Sequence, residues 1–257
     1  PKNHRENHMT RHVLLNNIDH QHTRVIHYFG PEFGDNLHSA LVFPNEFTEL
    51  QKEYPVLLRK DDPQGSFQAI ALLGFAAAEN LYLNAQHPTG WDARYIPASI
   101  EKGPFLIGFQ RAAGMQEQAP DAVVHIDIDH PKVGTEQGQQ LFLSQGGNSP
   151  YLEHISARLD TIHQGTNLAP VFYKALEQLE LVEPVTIEFA LHTSEKIRLT
   201  GNYCINEQRL ATLPAEALLK LQQSGFLALI YAMVFSMGNI RHLIERKNNS
   251  MRQQSPE

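Results

Sequence analysis

The rhythm of apolar and polar positions changes near residue 148. Before that point short apolar runs are broken by Gly, Pro, Asp and Asn, the texture of strands and turns. After it, apolar residues recur at helical spacing around a single hairpin. In the first part His12–Asn16, Ala40–Phe43, Val56–Arg59, Phe67–Leu73, Asn80–Leu83 and Phe105–Phe109 predict strands, and Ala122–Asp129 is the clearest of all. Joints such as Asp61-Asp62-Pro63 and His87-Pro88-Thr89-Gly90 are too short for a parallel crossover, so neighbouring strands should pair antiparallel. Pro44-Asn45 opens a short helix with Phe47, Leu50 and Tyr54 on one face.

The second part opens with a helix that Ser149 can cap, Pro150 can start, and His163 with Gly165 can close. Leu152, Ile155, Leu159 and Ile162 form its core-facing seam. A second helix, about Ala169 to Val182, should end before Pro184. Val185–Leu191 and Lys196–Tyr203 flank the turn His192–Glu195 and read as a hairpin, followed by helices near Ala215–Gln223 and Phe226–Glu245. The class is α+β, with an antiparallel sheet of short strands in the N-terminal part and helices plus a hairpin in the C-terminal part. Residues 13–246 read as a single domain, a two-lobe split near 148 being the alternative. The polar ends, 1–12 and 247–257, read as disordered tails.

Composition narrows the function classes. The 257 residues carry a formal charge of −7, which argues against nucleic acid as a partner. The lone Cys204 excludes an internal disulfide framework and fits a reducing compartment, so cytoplasmic residence is the default expectation. No secretory signal stands at the start, and the most apolar run, Phe226–Phe235, is half the length a spanning helix needs, so no transmembrane segment is expected. That helix is apolar around most of its circumference, which means core burial or a homo-oligomer contact. The phosphate-loop, dinucleotide, nucleophile-elbow and H-E-x-x-H signatures are all absent.

The sharpest chemical signal is His125-Ile126-Asp127-Ile128-Asp129-His130. Strand alternation puts His125, Asp127 and Asp129 on one face. A His-x-Asp pair with a distant His, such as His163 or His192, is how non-haem Fe(II) oxygenases hold their metal, so Fe(II) with 2-oxoglutarate is the alternative cofactor reading. A half-exposed strand with its isoleucines inward and its polar side wetted explains the same pattern without chemistry. Histidines crowd the N-terminus (His4, His8, His12, His20, His22, His27), either as a metal tract or as a polar turn after the first strand. Trp91 and Tyr95 flank Asp92 and Arg94 and could face a sugar or peptide, or anchor a turn. Gly146–Ser149 before a helix start is either an anion site or a cap.

The order and spacing of several segments resemble the SapC family of bacterial surface-layer-associated proteins. They are Leu15-Asn16 with His20 and Val25; Pro44 with Glu46-Phe47; Tyr54-Pro55; and Ala71-Leu72-Leu73-Gly74 leading to Asn80-Leu81. Further on come Trp91, Tyr95-Ile96-Pro97-Ala98, Pro104-Phe105, Ile126-Asp127, Gly138 with Leu141-Phe142, Gly201 with Asn206-Glu207, and the Gly225/Ser236 helix. The resemblance implies a binding or accessory protein tied to surface-layer or nutrient-uptake systems, without established catalysis or cofactor. Its partner would be a protein, peptide or glycan. His20, Glu46, Asn80, Trp91, Tyr95 and Asp127 are the candidate ligand-binding positions. His125 stands where the family pattern has a small or apolar residue, which weakens a shared His125–Asp127 metal site.

Overall fold

The structure is a computed structural model and describes residues 11–62, 65–110 and 121–254. The strands in chain order are β1 (His12–Leu14), β2 (Arg24–Val25), β3 (Ser39–Val42), β4 (Val56–Arg59), β5 (Gln68–Leu72), β6 (Phe105–Gln110), β7 (Asp121–Asp127), β8 (Val133–Gly134), β9 (Gln139–Gln140), β10 (Val182–Ala190) and β11 (Lys196–Ile205). The helices are α1 (Phe47–Leu50), α2 (Ala98–Glu101), α3 (Pro150–Gln178), α4 (Glu207–Ala211), α5 (Ala215–Gln223), α6 (Phe226–Ser236) and α7 (Asn239–Gln254). All strand pairings are antiparallel, and the class is α+β.

The chain divides into two compact units, each made of two segments: Pro1–Tyr28 with Glu101–His163, and Phe29–Ile100 with Gln164–Glu257. No single cut near 148 separates them, because the chain passes from one to the other at three places.

In the first unit β1, β7 and β6 form a sheet in that order, with His12 opposite Asp127 and Phe105 opposite Ile126. A small ladder β8-β2-β9 lies beside it in the same unit. Ile126, Phe105, Leu141, Leu152, Ile155 and Leu159 are buried together, so three of the four seam residues read on the first half of α3 face a core, while Ile162 is half-buried and lies outside that cluster. Ser149 caps that helix: its Oγ accepts from the Leu152 amide (3.2 Å) and donates to the Gln140 carbonyl (2.6 Å).

In the second unit the sheet order is β10-β11-β4-β5-β3. Phe47, Leu50, Tyr54, Leu57, Leu58, Trp91, Phe172 and Ile230 belong to its core. Ser236, fully buried on α6, accepts from the Val56 amide (3.0 Å) and so pins the helix to the first residue of β4. Asn239 starts α7 and donates to the carbonyls of Gln51 (2.7 Å) and Tyr54 (3.1 Å).

Three expectations need correction. The helix does not close at Gly165: α3 runs unbroken for 29 residues through Gly165 and Pro170. A Cβ on Gly165 would sit 2.3 Å from the Phe43 Cβ and 2.5 Å from the Asn45 Oδ1, so the glycine permits close approach and is no stop signal. Asn80–Leu83 is not a strand, because Asn80 Oδ1 accepts from the Tyr82 amide (3.0 Å) and curls the segment, leaving one bridge between Leu83 and Trp91. Residues 247–254 are helical as the end of α7, held by Lys247 on Glu79 (2.6 Å) and by Asn248, which accepts from the His192 amide (3.0 Å). Residues 1–10, with His4 and His8, lie outside the described residues, as do Pro63 and 255–257.

Candidate functional site

The candidate residues fall into both units. Glu46, Asn80, Trp91 and Tyr95 belong to the second unit, and His20, His125 and Asp127 to the first.

In the first unit Asp127 is buried, contrary to a wetted polar face, and its Oδ1 accepts from the amides of Arg11 (3.0 Å) and Asp129 (3.3 Å). A carboxylate so used closes the end of β7. The His125 ring lies over Gly108 of β6, where a Cβ would come within 2.5 Å of it. His163 packs on Phe109 at 5.1 Å, while His192 belongs to the other unit. Among the described residues no group of three or more His, Cys, Asp or Glu is placed to hold a metal. His20 Nδ1 lies 3.2 Å from the Asn16 amide, inside a turn in which Asn16 Oδ1 accepts from Ile18 and Asp19. A polar turn therefore accounts for it.

The first unit also holds a cluster of titratable side chains on α3. Tyr151, His154 and Arg158 line one side of α3, and Glu101 receives His154 (2.8 Å) and Arg158 (3.6 Å) on its two oxygens. The His27 ring packs against Tyr151 (5.5 Å) and His154 (6.5 Å). Burial holds the His27 pKa below its usual value of 6.5; Glu101 opposes this, and His154 and Lys132 add to it.

In the second unit the candidates build a frame. Glu46 is almost fully buried; its Oε2 accepts from the Phe43 amide (3.0 Å), and its Oε1 from the Tyr95 hydroxyl (2.9 Å) and the Ala98 amide (2.8 Å). Trp91 is inaccessible to solvent and donates from Nε1 to the Tyr54 hydroxyl (2.8 Å), which donates to the Tyr95 carbonyl. Trp91 therefore cannot face a ligand; it stacks on Tyr82 (6.1 Å between ring centres, 13° between planes), and Tyr82 packs on Tyr54 at 4.5 Å. Burial raises both phenol pKa values far above 10, so Tyr54 and Tyr82 stay protonated donors. Glu53 accepts from the amides of Arg94 and Tyr95 (both 3.1 Å or less).

On this frame opens a cleft of about 600 Å³, lined by Asn80, Leu81, Leu83, Asn84, Gln86, Asp92, Arg246, Asn249 and Ser250. One wall is the curled segment 80–92, and the other is a face of α7 at i, i+3, i+4 spacing. Arg246 buckles the two. Its Nη1 donates to Asp92 Oδ2 (2.9 Å), its Nη2 to the Asp92 carbonyl (2.8 Å), and its guanidinium lies 4.6 Å over the Tyr82 ring. Asn80, the one expected residue that lines the cleft, also donates to the Asp35 carbonyl (2.8 Å). Arg246, Asn249 and Ser250 were missed because they sit at the border of a polar stretch read as a tail. Spacing on one helix face was the signal that could have found them.

A second hollow of about 500 Å³ lies among α3, α5 and α6, with Leu179, Pro214, Leu221 and Phe226 in its lining. Its charged members Glu216 and Lys220 pair with each other at 2.8 Å on the exposed rim, so few polar groups converge there.

The SapC family model matches residues 15–243, nearly the whole chain. The chain belongs to the SapC family. No curated protein and no solved structure matches it. The match covers the frame and the 80–92 wall of the cleft, and stops just before Arg246, Asn249 and Ser250. Residues 226–252 are long and apolar enough to cross a membrane by length and composition alone. In the structure they are two helices, α6 and α7, and Ile230, Ala232 and Met233 of α6 are buried in the core of the second unit.

Proposed function

We propose that this SapC protein is a binding or accessory component of a bacterial surface-layer or nutrient-uptake system, and that its ligand sits in the cleft between 80–92 and α7. The observation that carries this reading is the cleft itself: an opening of about 600 Å³, within the usual range for ligand sites, walled by polar side chains on a hydrogen-bonded frame. The frame is preorganised. Arg246, Asp92, Tyr82, Trp91 and Tyr54 are linked in sequence, so little ordering is left for a ligand to induce. The surface association is what the family resemblance implies, and it is part of the proposal.

The test is native mass spectrometry of the full chain after incubation with the soluble surface fraction of the native cells. A bound component is expected on the parent chain and lost from Asn249→Phe, which plugs the cleft from an exposed position. A parent chain at micromolar concentration that returns with no added mass refutes the reading.

Self-association through α6 belongs to the same proposal. Tyr231 and Phe235 stack at 5.8 Å and stay 41% and 65% exposed. At roughly 200 Å² per aromatic ring the pair offers about 200 Å² per copy. A stable interface needs about 800 Å² per partner, so any homo-oligomer formed there is transient.

A further inference from the structure

We infer that the cleft takes a neutral saccharide; the inference rests on the binding reading above and names its ligand. Charge is the first argument. The lining has one carboxylate, Asp92, and one guanidinium, Arg246, and they neutralise each other at 2.9 Å. A charged ligand would give up its hydration without meeting a free counter-charge, which is costly.

The second argument is hydrogen-bonding capacity. The side chains of Gln86, Asn249 and Ser250 line the cleft and make no hydrogen bond among the described residues, so their donors and acceptors are not taken up by the protein. Asn84 spends its Oδ1 on the Gln86 amide (3.0 Å) and keeps its NH2. Asp92 Oδ2 and its carbonyl are taken by Arg246, which leaves Oδ1 as an acceptor. Side-chain amides, a hydroxyl and a fixed carboxylate oxygen match sugar hydroxyls, each of which both donates and accepts. Leu81 and Leu83 give an apolar strip for the C–H face of a pyranose ring.

The third argument separates a saccharide from a peptide. Peptides are usually held by a sheet edge, by an apolar groove for a helix, or by an aromatic-lined groove. Among the described residues this cleft has none of these: segment 80–92 carries only the Leu83–Trp91 bridge there, and Tyr82 and Trp91 are buried.

The test is a titration of the isotope-labelled full chain by two-dimensional amide NMR, with cellobiose, maltose and N,N′-diacetylchitobiose as neutral probes. A glucuronate-containing disaccharide and tri-alanine serve as comparisons. At least one neutral disaccharide should shift the side-chain amides of Gln86 and Asn249 and the backbone signals of 80–92 and 246–250, saturably. The Gln86→Ala/Asn249→Ala double variant, with the rest of its spectrum unchanged, should bind that probe at least fivefold more weakly. Shifts of the same signals by the charged disaccharide or tri-alanine, at equal or lower concentration, overturn the ligand class and leave the binding reading standing. Silence from every probe overturns the saccharide inference. The surface-fraction experiment then judges the binding reading by its own added mass.

Discussion

Glu46 was a candidate ligand contact, and removing it separates a role in the frame from a role in binding. The carboxylate is 1% exposed and accepts from two backbone amides and a phenol. Glu46→Ala strands the Phe43 and Ala98 amides, both buried. Each buried donor left without an acceptor costs about 1–3 kcal/mol, so the pair costs about 2–6 kcal/mol. That is a large part of the ~5–15 kcal/mol by which a domain is stable. The Tyr95 hydroxyl is only part-buried and can turn to water, so it adds little.

Glu46→Gln keeps one oxygen and presents an NH2 to a backbone donor whichever way the amide is turned. It should cost about 1–3 kcal/mol for the stranded donor, less what is regained by not burying a charge. Urea unfolding followed by fluorescence reports directly, because Trp91 is the only tryptophan and is buried in the same frame. The expected order of stability is parent, Gln variant, Ala variant. An Ala variant within about 0.5 kcal/mol of the parent, the scatter of ordinary surface changes, refutes the frame role. A ligand-contact residue would show the opposite signature, little lost stability and lost binding.

Three further outcomes follow from the same geometry. Gly165→Ala should gain up to about 1 kcal/mol of helix propensity and lose about 1–3 kcal/mol to overlap with Phe43 and Asn45, for a net loss of midpoint in the same urea assay. Burial makes His27 harder to protonate in the folded state than in the unfolded chain, so the unfolded chain binds more protons as the pH falls through its ordinary pKa of 6.5. Stability should therefore be whole above 6.5 and decline as the pH drops through the lower folded value, and His27→Gln should flatten that decline in unfolding curves recorded between pH 8 and 5. Burial, with Glu183 and Glu207 nearby, pushes the Cys204 thiol up to about 11. Its thiolate fraction near pH 8 is then on the order of a hundredth of a free cysteine's, and iodoacetamide labelling should be slow until urea exposes it.

Much of the fold was legible because local rules decide it. The Val56–Arg59 strand and the Ala215–Gln223 helix coincide with β4 and α5, since apolar runs bounded by turn and cap residues leave little choice. Errors arose where a long-range contact outweighs a local signal. Gly165 reads as a terminator until Phe43 is known to lie against it. Residues 247–254 read as a loose end until Glu79 and His192 are known to hold them. The candidate site was half legible for the same reason. Glu46, Trp91 and Tyr95 do meet through Tyr54 and the 95–98 backbone, whereas His20 and Asp127 are spent on turns of the first unit.

The polar and aromatic residues that carry the family resemblance in the second unit are mostly turned inward, where they hold backbone groups. Trp91, Glu46 and Tyr54 are buried, and Asn80 spends its amide on Asp35 and Tyr82. The α7 groups that face the cleft stand at 246, 249 and 250, past the end of the family match at 243. A buried hydrogen-bonded side chain answers to fixed backbone partners, and replacing it strands those partners. An exposed amide answers only to what binds it. Frame and contact surface are thus under different physical constraints in one cleft. The α7 wall can change chemistry without loosening the fold, provided Arg246 keeps its hold on Asp92.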